Sequence, residues 1–292
     1  KDYDAIRINS EARDEEENAI LDLKTFDLSL AGVNIVSLSD SQKVSIIPYD
    51  GRLVVGKNRA MSFDGVVKAG LFTIYGKQFS FSYDTFYLHL AKIDSIRIAV
   101  ETDEKDAFGR PIIKVIDNII QLASANLYID DPKNKSGLKS LQQYPIINAL
   151  TYSYIFYDNI PNLEGIYPQK EFYFRIDPFT YNNIDHYSNT AMALEGEFVG
   201  GGITEPMRQT LTVQPDTSLG FSMTIAPEGI PIYDGRGVLF DNLSMNNSGL
   251  IGSGRVDHLT ATAVSDTFLF YPEFMVTRAQ SFIMRPDTLN RF

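Results

Sequence analysis

The feature that most constrains the fold of this chain is an alternation of apolar and polar residues with a period of two. Residues 79–83, 96–100, 172–176 and 219–225 each place large apolar side chains at every second position. Successive side chains of a β-strand point to opposite faces, so this pattern is typical of strands with one buried face. The sequence therefore predicts an all-β fold of mainly antiparallel strands. Helical periodicity is scarce and predicts at most one short helix, over 139–150, which Pro145 limits.

An internal repeat is the most specific pattern in the chain. Residues 49–72 align without gaps with 233–256, at an offset of 184, and 9 of the 24 columns are identical. Random pairing would give about 1 or 2 identities. The identical residues are Tyr49/Tyr233, Asp50/Asp234, Gly51/Gly235, Arg52/Arg236, Val54/Val238, Asn58/Asn242, Met61/Met245, Gly65/Gly249 and Gly70/Gly254.

A fainter third copy places Ala60–Gly65 over Ala191–Gly196, so that Gly196 joins Gly65 and Gly249 as a glycine four residues after a methionine. Such glycines predict strand corners that need a positive φ or a close backbone approach. Repeated strand–turn–strand units favour an elongated or solenoid-like stack of strands. Two packed β-sandwich domains are the alternative.

The predicted organisation has three parts. Residues 1–20 are an acidic, polar lead-in; 21–150 form a β-rich first half that contains the repeat copy 49–90; and 151–292 form a second half that contains the copy 233–272. Because the chain opens with Lys1 rather than Met, we expect it to be a segment of a larger protein.

Charge and composition exclude several classes of function. With 26 basic and 37 acidic residues the net charge is −11, which disfavours binding to nucleic acid. The absence of cysteine removes disulfides, thiolate catalysis and cysteine-based metal centres. No apolar run is long enough for a transmembrane helix.

Residues that could carry catalysis form no recognisable constellation. His89, His186 and His258 lie in unrelated contexts. Paired carboxylates could serve glycoside hydrolysis, and the candidates are Asp130/Asp131, Glu195/Glu197 and Asp103/Glu104/Asp106, the last of which is also typical of a polar hairpin tip. The sequence therefore predicts no catalytic residue, no metal ligand and no cofactor, although oxygen-rich loops at 130–137 and 177–185 leave Ca²⁺ open.

The segment 152–187 is rich in aromatic residues, and two interpretations of it stay open. The rings pair across strands or lie in the core, or they form an exposed face that stacks on sugars. The tyrosines predicted to bind a ligand under the second interpretation are Tyr152, Tyr154, Tyr167, Tyr173 and Tyr181.

Two stretches carry a family resemblance: 63–70 (Phe-Asp-Gly-Val-Val-Lys-Ala-Gly) and 249–256 (Gly-Leu-Ile-Gly-Ser-Gly-Arg-Val), each followed by alternating strands. They resemble large β-rich envelope proteins of Bacteroidota and are similar to AsmA/TamB-like proteins over 49–90 and 190–272. That family builds a long curved β-sheet with an apolar inner groove and is linked to lipid movement or outer-membrane assembly. The resemblance implies an extended sheet and no catalytic residues. The aromatic 152–187 segment departs from a uniformly apolar groove.

Together these observations predict a non-enzymatic structural or assembly component of a bacterial cell envelope, in the periplasm or at the surface of a Gram-negative cell, with the cytoplasm as the alternative compartment. The expected partners are other envelope proteins or the remainder of a longer chain, with glycan or lipid as further candidates. The alternatives are a carbohydrate-binding or adhesion module that uses 152–187, and a glycan-active enzyme with paired carboxylates.

Overall fold

The chain is all-β, as its alternation predicts. The structure, a computed structural model, describes residues 6–11, 17–160, 163–186, 188 and 192–286, and none of these residues is helical. This part of the chain accordingly holds no helix that could cross a bilayer. The strands are β1(Arg7–Ser10), β2(Ala19–Leu21), β3(Leu28–Leu30), β4(Val33–Ser39), β5(Val44–Pro48), β6(Leu53–Val55), β7(Met61–Ala69), β8(Phe72–Ser82), β9(Tyr87–Lys105), β10(Pro111–Val115), β11(Gln121–Leu122), β12(Ala125–Tyr128), β13(Ile146–Ala149), β14(Ser153–Phe156), β15(Phe172–Ile176), β16(Thr180–Tyr181), β17(Ala193–Gly200), β18(Met207–Val213), β19(Leu219–Thr224), β20(Ile230–Ile232), β21(Gly237–Leu239), β22(Asn242–Asn246), β23(Gly249–His258), β24(Ala261–Phe270), β25(Met275–Thr277) and β26(Ser281–Met284).

The chain divides into two compact units, and both are discontinuous in sequence. The first comprises Lys1–Ser153 and Asp177–Ala191, and the second comprises Tyr154–Ile176 and Met192–Phe292. The sequence predicts a single boundary after residue 150, and this prediction does not include the assignment of residues 177–191 to the first unit. Half of the predicted lead-in at 1–20, including Asp14, Glu15 and Glu16, lies outside the described residues.

The first unit is built on an antiparallel sheet with the strand order β1-β4-β5-β7-β8-β9-β12-β13-β16. Its central strand β8 turns Phe72, Ile74, Phe79 and Phe81 inward, and each is at most 1% exposed. Burying such a side chain contributes about 1.5–3 kcal/mol, so the alternation in the sequence explains both the strand and its orientation.

Ile184 and Asp185, in the second segment of this first unit, pack on the turn between β7 and β8. The amide of Leu71 donates a hydrogen bond to the carbonyl of Ile184 at 3.0 Å. A Cβ on Gly70 would lie 2.3 Å from the Cα of Asp185, so the turn has room only for glycine. The ammonium of Lys43 lies 3.4 Å from the Asp185 carboxylate.

The second unit contains an antiparallel sheet in which β14, β15, β17, β18, β19, β22 and β23 are neighbours in that order. One edge of β23 pairs with β22 and β21, and its other edge pairs with β24.

The predicted helix over 139–150 is wrong: 146–149 form β13, which pairs with β12. Ile147 and Ala149 alternate inward there, because strand pairing outweighs the weak helical pattern.

An internal repeat is present in the sheet pairing, but not in the register that residue identities indicate. The pairs of β7 with β8 run from Met61–Phe81 to Ala69–Phe72, and those of β23 with β24 run from Leu250–Phe270 to His258–Ala261. All eight pairs, with the same bulge, superimpose at an offset of 189. The turns also correspond, since Gly70 and Leu259 have φ values of 56° and 52°.

The ungapped alignment at an offset of 184 is therefore wrong as a structural equivalence. It sets the continuous strand β7 against β22, a turn and β23, so Gly65 and Gly249 occupy different places. The structural equivalent of Gly65 is Gly254, which follows the register shift in the pairing of β23 with β24. Gly254 was instead aligned with Gly70, which lies in the β7–β8 turn.

The predicted equivalence of the turns at the start of the two copies is wrong as well. It concerned the pairs Tyr49/Tyr233, Asp50/Asp234, Gly51/Gly235 and Arg52/Arg236. Gly51 has positive φ in the first turn, whereas residues 233–235 all have it in the second. The amide of Arg52 donates to the carboxylate two residues earlier at 2.9 Å, whereas that of Arg236 donates to the backbone carbonyl three residues earlier at 3.1 Å. Arg236 therefore closes a tight turn between β20 and β21 and is not the structural counterpart of Arg52, because identical residues here adopt different backbone conformations.

The third copy keeps the register that the sequence predicts. Five pairs join β5 to β7, from Val44–Ala69 to Pro48–Gly65, and five join β15 to β17, from Phe172–Gly200 to Ile176–Gly196. A Cβ on Gly65 would lie 2.3 Å from the carbonyl oxygen of Ile47, and one on Gly196 would lie 2.1 Å from that of Arg175. Both glycines therefore permit the close backbone approach expected of them.

Candidate functional site: a sheet edge and an outer-face aromatic cluster

The sheet of the second unit ends on two short strands that lie in line along β24. β25 pairs with Phe268–Phe270 and β26 pairs with Ala261–Val264. Between them, β24 has a bulge at Ser265–Thr267. Just before this bulge, the carbonyl of Val264 accepts a hydrogen bond from the amide of Gln280 at 2.8 Å. We call β25 and β26 the C-terminal edge. No other described strand pairs with it.

The C-terminal edge exposes large apolar side chains on both of its faces. Phe282 is 62% exposed, Ile283 49% and Met284 71%, and Val276 on β25 is 48% exposed. Neighbouring residues of a strand point to opposite faces, so both faces are apolar here. Unpaired edges are usually short, charged or covered, and an apolar edge is a template for another strand. At the other end of the sequence, β2 carries Ile20 and Leu21, which are 60% and 54% exposed.

No protein-family model, curated protein or solved structure matches the chain.

The predicted ligand-binding tyrosines do not form one face. Tyr167 is only 1% exposed and belongs to the core, whereas Tyr152 is 49% exposed. Tyr181 is half-buried on β16 and packs on Phe179, with ring centroids 5.0 Å apart. Tyr154 and Tyr173 are half-buried and do come together, on the neighbouring strands β14 and β15.

Tyr154, Tyr173 and Phe156 form a cluster on the outer face of the second unit's sheet, which we call the ring cluster. The planes of Tyr154 and Phe156 are 5° apart with centroids at 6.1 Å, and Tyr173 meets both edge-on at 5.9 and 6.3 Å. Beyond it on the same face, Arg175 donates to Glu197 at 2.8 Å. Sequence alternation places the three rings outward, but only the sheet order brings them together.

The predicted acidic pairs are engaged in local structure. Asp130 is 2% exposed and accepts hydrogen bonds from Gln42, Asn134 and the Asp131 amide. Asp106 closes the β9–β10 hairpin by accepting from the Phe108 and Arg110 amides and from the Arg110 guanidinium, and these bonds hold the pKa of its carboxyl below the usual value. This confirms the predicted polar hairpin tip.

An acidic depression lies elsewhere in the second unit. A cavity of about 460 Å³ lies against the Gly200–Gly202 turn and is lined by Glu171, Glu205, Asp234 and Lys170. None of the predicted acidic pairs lines it.

The three histidines lie apart from one another: His89 contacts Asn126 at 2.9 Å, His186 contacts Glu101 at 3.1 Å, and His258 is exposed. No three Asp, Glu or His side chains of the described residues are grouped to hold a metal ion.

Proposed function

We propose that this chain is a non-enzymatic structural or assembly component of a bacterial cell envelope, and that it joins its partners by continuing a β-sheet through the C-terminal edge. The observation that carries the proposal is the exposure of Phe282, Ile283 and Met284 on both faces of β26, which pairs with β24 on one side and with no other described strand. Covering these side chains removes apolar surface from water, and strand addition satisfies the backbone groups of the edge.

The envelope is supported by the resemblance of 63–70 and 249–256 to large β-rich envelope proteins of Bacteroidota. The lack of cysteine suits a compartment in which free thiols would be oxidised. Extended antiparallel sheets with repeated pairing also suit a structural role, because each repeat adds surface without needing a catalytic cleft.

The test is fractionation of source cells that carry matched variants. We expect the chain in the envelope fraction, with retention there reduced by Ile283→Lys because a charge on the edge opposes strand addition. Leu259→Lys is the control, since Leu259 is 87% exposed but lies in the β23–β24 turn. A chain found only in the cytosol, or equal retention of both variants, would overturn the proposal.

A second candidate function, glycan binding, is supported by the near-parallel rings of Tyr154 and Phe156 in the ring cluster. Stacked aromatic faces suit the C–H faces of a sugar. The chain has no tryptophan, so the emission of its 16 tyrosines is not masked by indole, and Tyr154→Ala identifies the part that comes from the ring cluster. Titration with cello-, chito- and manno-oligosaccharides should change the emission of the parent chain and of Tyr152→Ala, but less that of Tyr154→Ala. An unchanged parent spectrum with all three sugars would remove this candidate.

A further inference from the structure

The repeat identifies which strand of the first unit corresponds to the C-terminal edge. In the first copy, β9 pairs along β8: Ile98 lies opposite Phe72, Ile96 opposite Ile74, and Leu88 opposite Phe81. The offset of 189 that superimposes β8 on β24 makes Ala261, Ala263 and Phe270 the equivalents of Phe72, Ile74 and Phe81. Their partners are Met284, Phe282 and Met275. β25 and β26 therefore take the place of β9.

In the first copy, β9 is itself covered by further antiparallel backbone. Ile96 and Ile120 exchange amide-to-carbonyl hydrogen bonds of 2.8 and 3.1 Å, and the Ile116 amide donates to the Ile98 carbonyl at 2.9 Å. β12 pairs antiparallel with residues 87–90. The covering segment, 111–128, places Ile116, Ile120 and Leu122 in the core, each at most 3% exposed.

The same position in the second copy has no such cover among the described residues. Ile96 and Ile98 are 1% and 2% exposed, whereas their equivalents Phe282 and Met284 are 62% and 71% exposed. The large Phe72 and Ile74 of the first copy are replaced by alanines at 261 and 263, which leaves additional room on the same face.

We propose that the C-terminal edge binds an extended polypeptide segment that runs antiparallel to β25 and β26 and carries Ile or Leu at the spacing of Ile116, Ile120 and Leu122. This inference rests on the proposed function and names the partner's chemistry: a donated β-strand, as opposed to a folded domain, a lipid or a sugar. Backbone hydrogen bonds to the edge give affinity, and the apolar side chains cover Phe282 and Met284.

The chain supplies its own probe. A fluorescein-labelled synthetic peptide of residues 111–128 is titrated with the intact chain, and binding is read as fluorescence anisotropy. We expect saturable binding that weakens about ten-fold or more with Phe282→Lys or Met284→Lys. Leu259→Lys should bind like the parent chain. Circular dichroism of each variant confirms that the fold is kept, which the high exposure of all three positions favours.

A second peptide distinguishes binding through backbone hydrogen bonds from binding through apolar side-chain contacts alone. In the first copy the amide of Ile120 donates to Ile96, so N-methylation at Ile120 removes that hydrogen bond and keeps every side chain. We expect the N-methylated peptide to bind about ten-fold more weakly or not at all. Equal binding of both peptides, equal binding by all variants, or no binding would overturn the inference. If the peptide does not bind while Ile283→Lys still reduces retention in the envelope, the inference fails and the proposed function stands.

Discussion

The hydroxyl of Tyr167 occupies the space that a side chain on Gly249 would need. A Cβ on Gly249 would lie 2.5 Å from that oxygen, and Gly249 has a φ of +95°. The same hydroxyl donates to the Phe270 carbonyl at 2.8 Å and accepts the Leu250 amide at 3.1 Å. One tyrosine from the 154–176 segment thus fixes the start of β23 and the end of β24.

Gly249→Ala should lower the free energy of unfolding by about 2–4 kcal/mol, because it adds both backbone strain and a clash with a buried hydroxyl. Gly235→Ala is the matched control, since Gly235 has a φ of +77° with nothing near its Cβ position. The control should cost about 1 kcal/mol. Urea denaturation measures both, and equal costs would show that Tyr167 is not the obstacle.

Tyr167→Phe should destabilise the chain by about 2–3 kcal/mol, because the Leu250 amide and the Phe270 carbonyl both lose a buried partner. The ring remains, so its stacking on Phe172, at 4.2 Å between centroids, is retained. Thermal unfolding compared with Tyr152→Phe, which changes an exposed ring, checks this. A loss no larger than that of Tyr152→Phe would contradict the role given to the hydroxyl.

Alkaline pH should destabilise the fold from about pH 10 upward. Burial raises the pKa of Tyr167 from 10.0 to about 12, and it also raises the pKa values of Tyr157 and Tyr233. A tyrosine with a raised pKa keeps its proton in the folded state where the unfolded chain has lost it, so stability is full below pH 10 and falls as the pH rises toward 12. Urea midpoints across this range should fall less steeply for Tyr167→Phe. Parallel curves would contradict the shifted pKa.

Asp130→Ala should cost about 2–4 kcal/mol, because Gln42 and Asn134 would lose a buried acceptor. Its neighbour provides the control: the side chain of Asp131 accepts a hydrogen bond from the exposed Lys133 amide, so Asp131→Ala should cost about 1 kcal/mol or less. Denaturant titration of the pair distinguishes a structural Asp130 from a member of a catalytic pair, whose removal commonly leaves stability unchanged or raised. A neutral Asp130→Ala would contradict the structural role.

The sequence predicts the strands well and the pairing less well, for a physical reason. Alternation at 172–176 and 219–225 reports which side chains face the core, and that is a local property. Register is not local. Residue identities favour an offset of 184, whereas the pairs of β7 with β8 and of β23 with β24 superimpose at an offset of 189, so identity alone does not give the register. The shared Tyr-Asp-Gly-Arg turns, which end at Arg52 and Arg236, indicated a common position that the pairing does not support.

The candidate site was still harder to predict from sequence. Phe282, Ile283 and Met284 have the pattern of an ordinary apolar strand, and only the pairing with β24 shows that they lie at an edge. The ring cluster was predicted in part, through Tyr154 and Tyr173. Phe156 is not among the tyrosines that the sequence analysis predicts to bind a ligand, although the alternation of β14 places it beside Tyr154.

The discontinuity of the first unit has a consequence for synthesis in the cell. A ribosome makes the chain from the N-terminus, so the β7–β8 turn emerges long before its partners. The amide of Leu71 lacks its native acceptor until Ile184 has been made, and by then β14 and β15 of the second unit have already been synthesised. The nascent chain therefore cannot finish one unit before it starts the next. A truncation at any point between 154 and 184 would leave the first unit open.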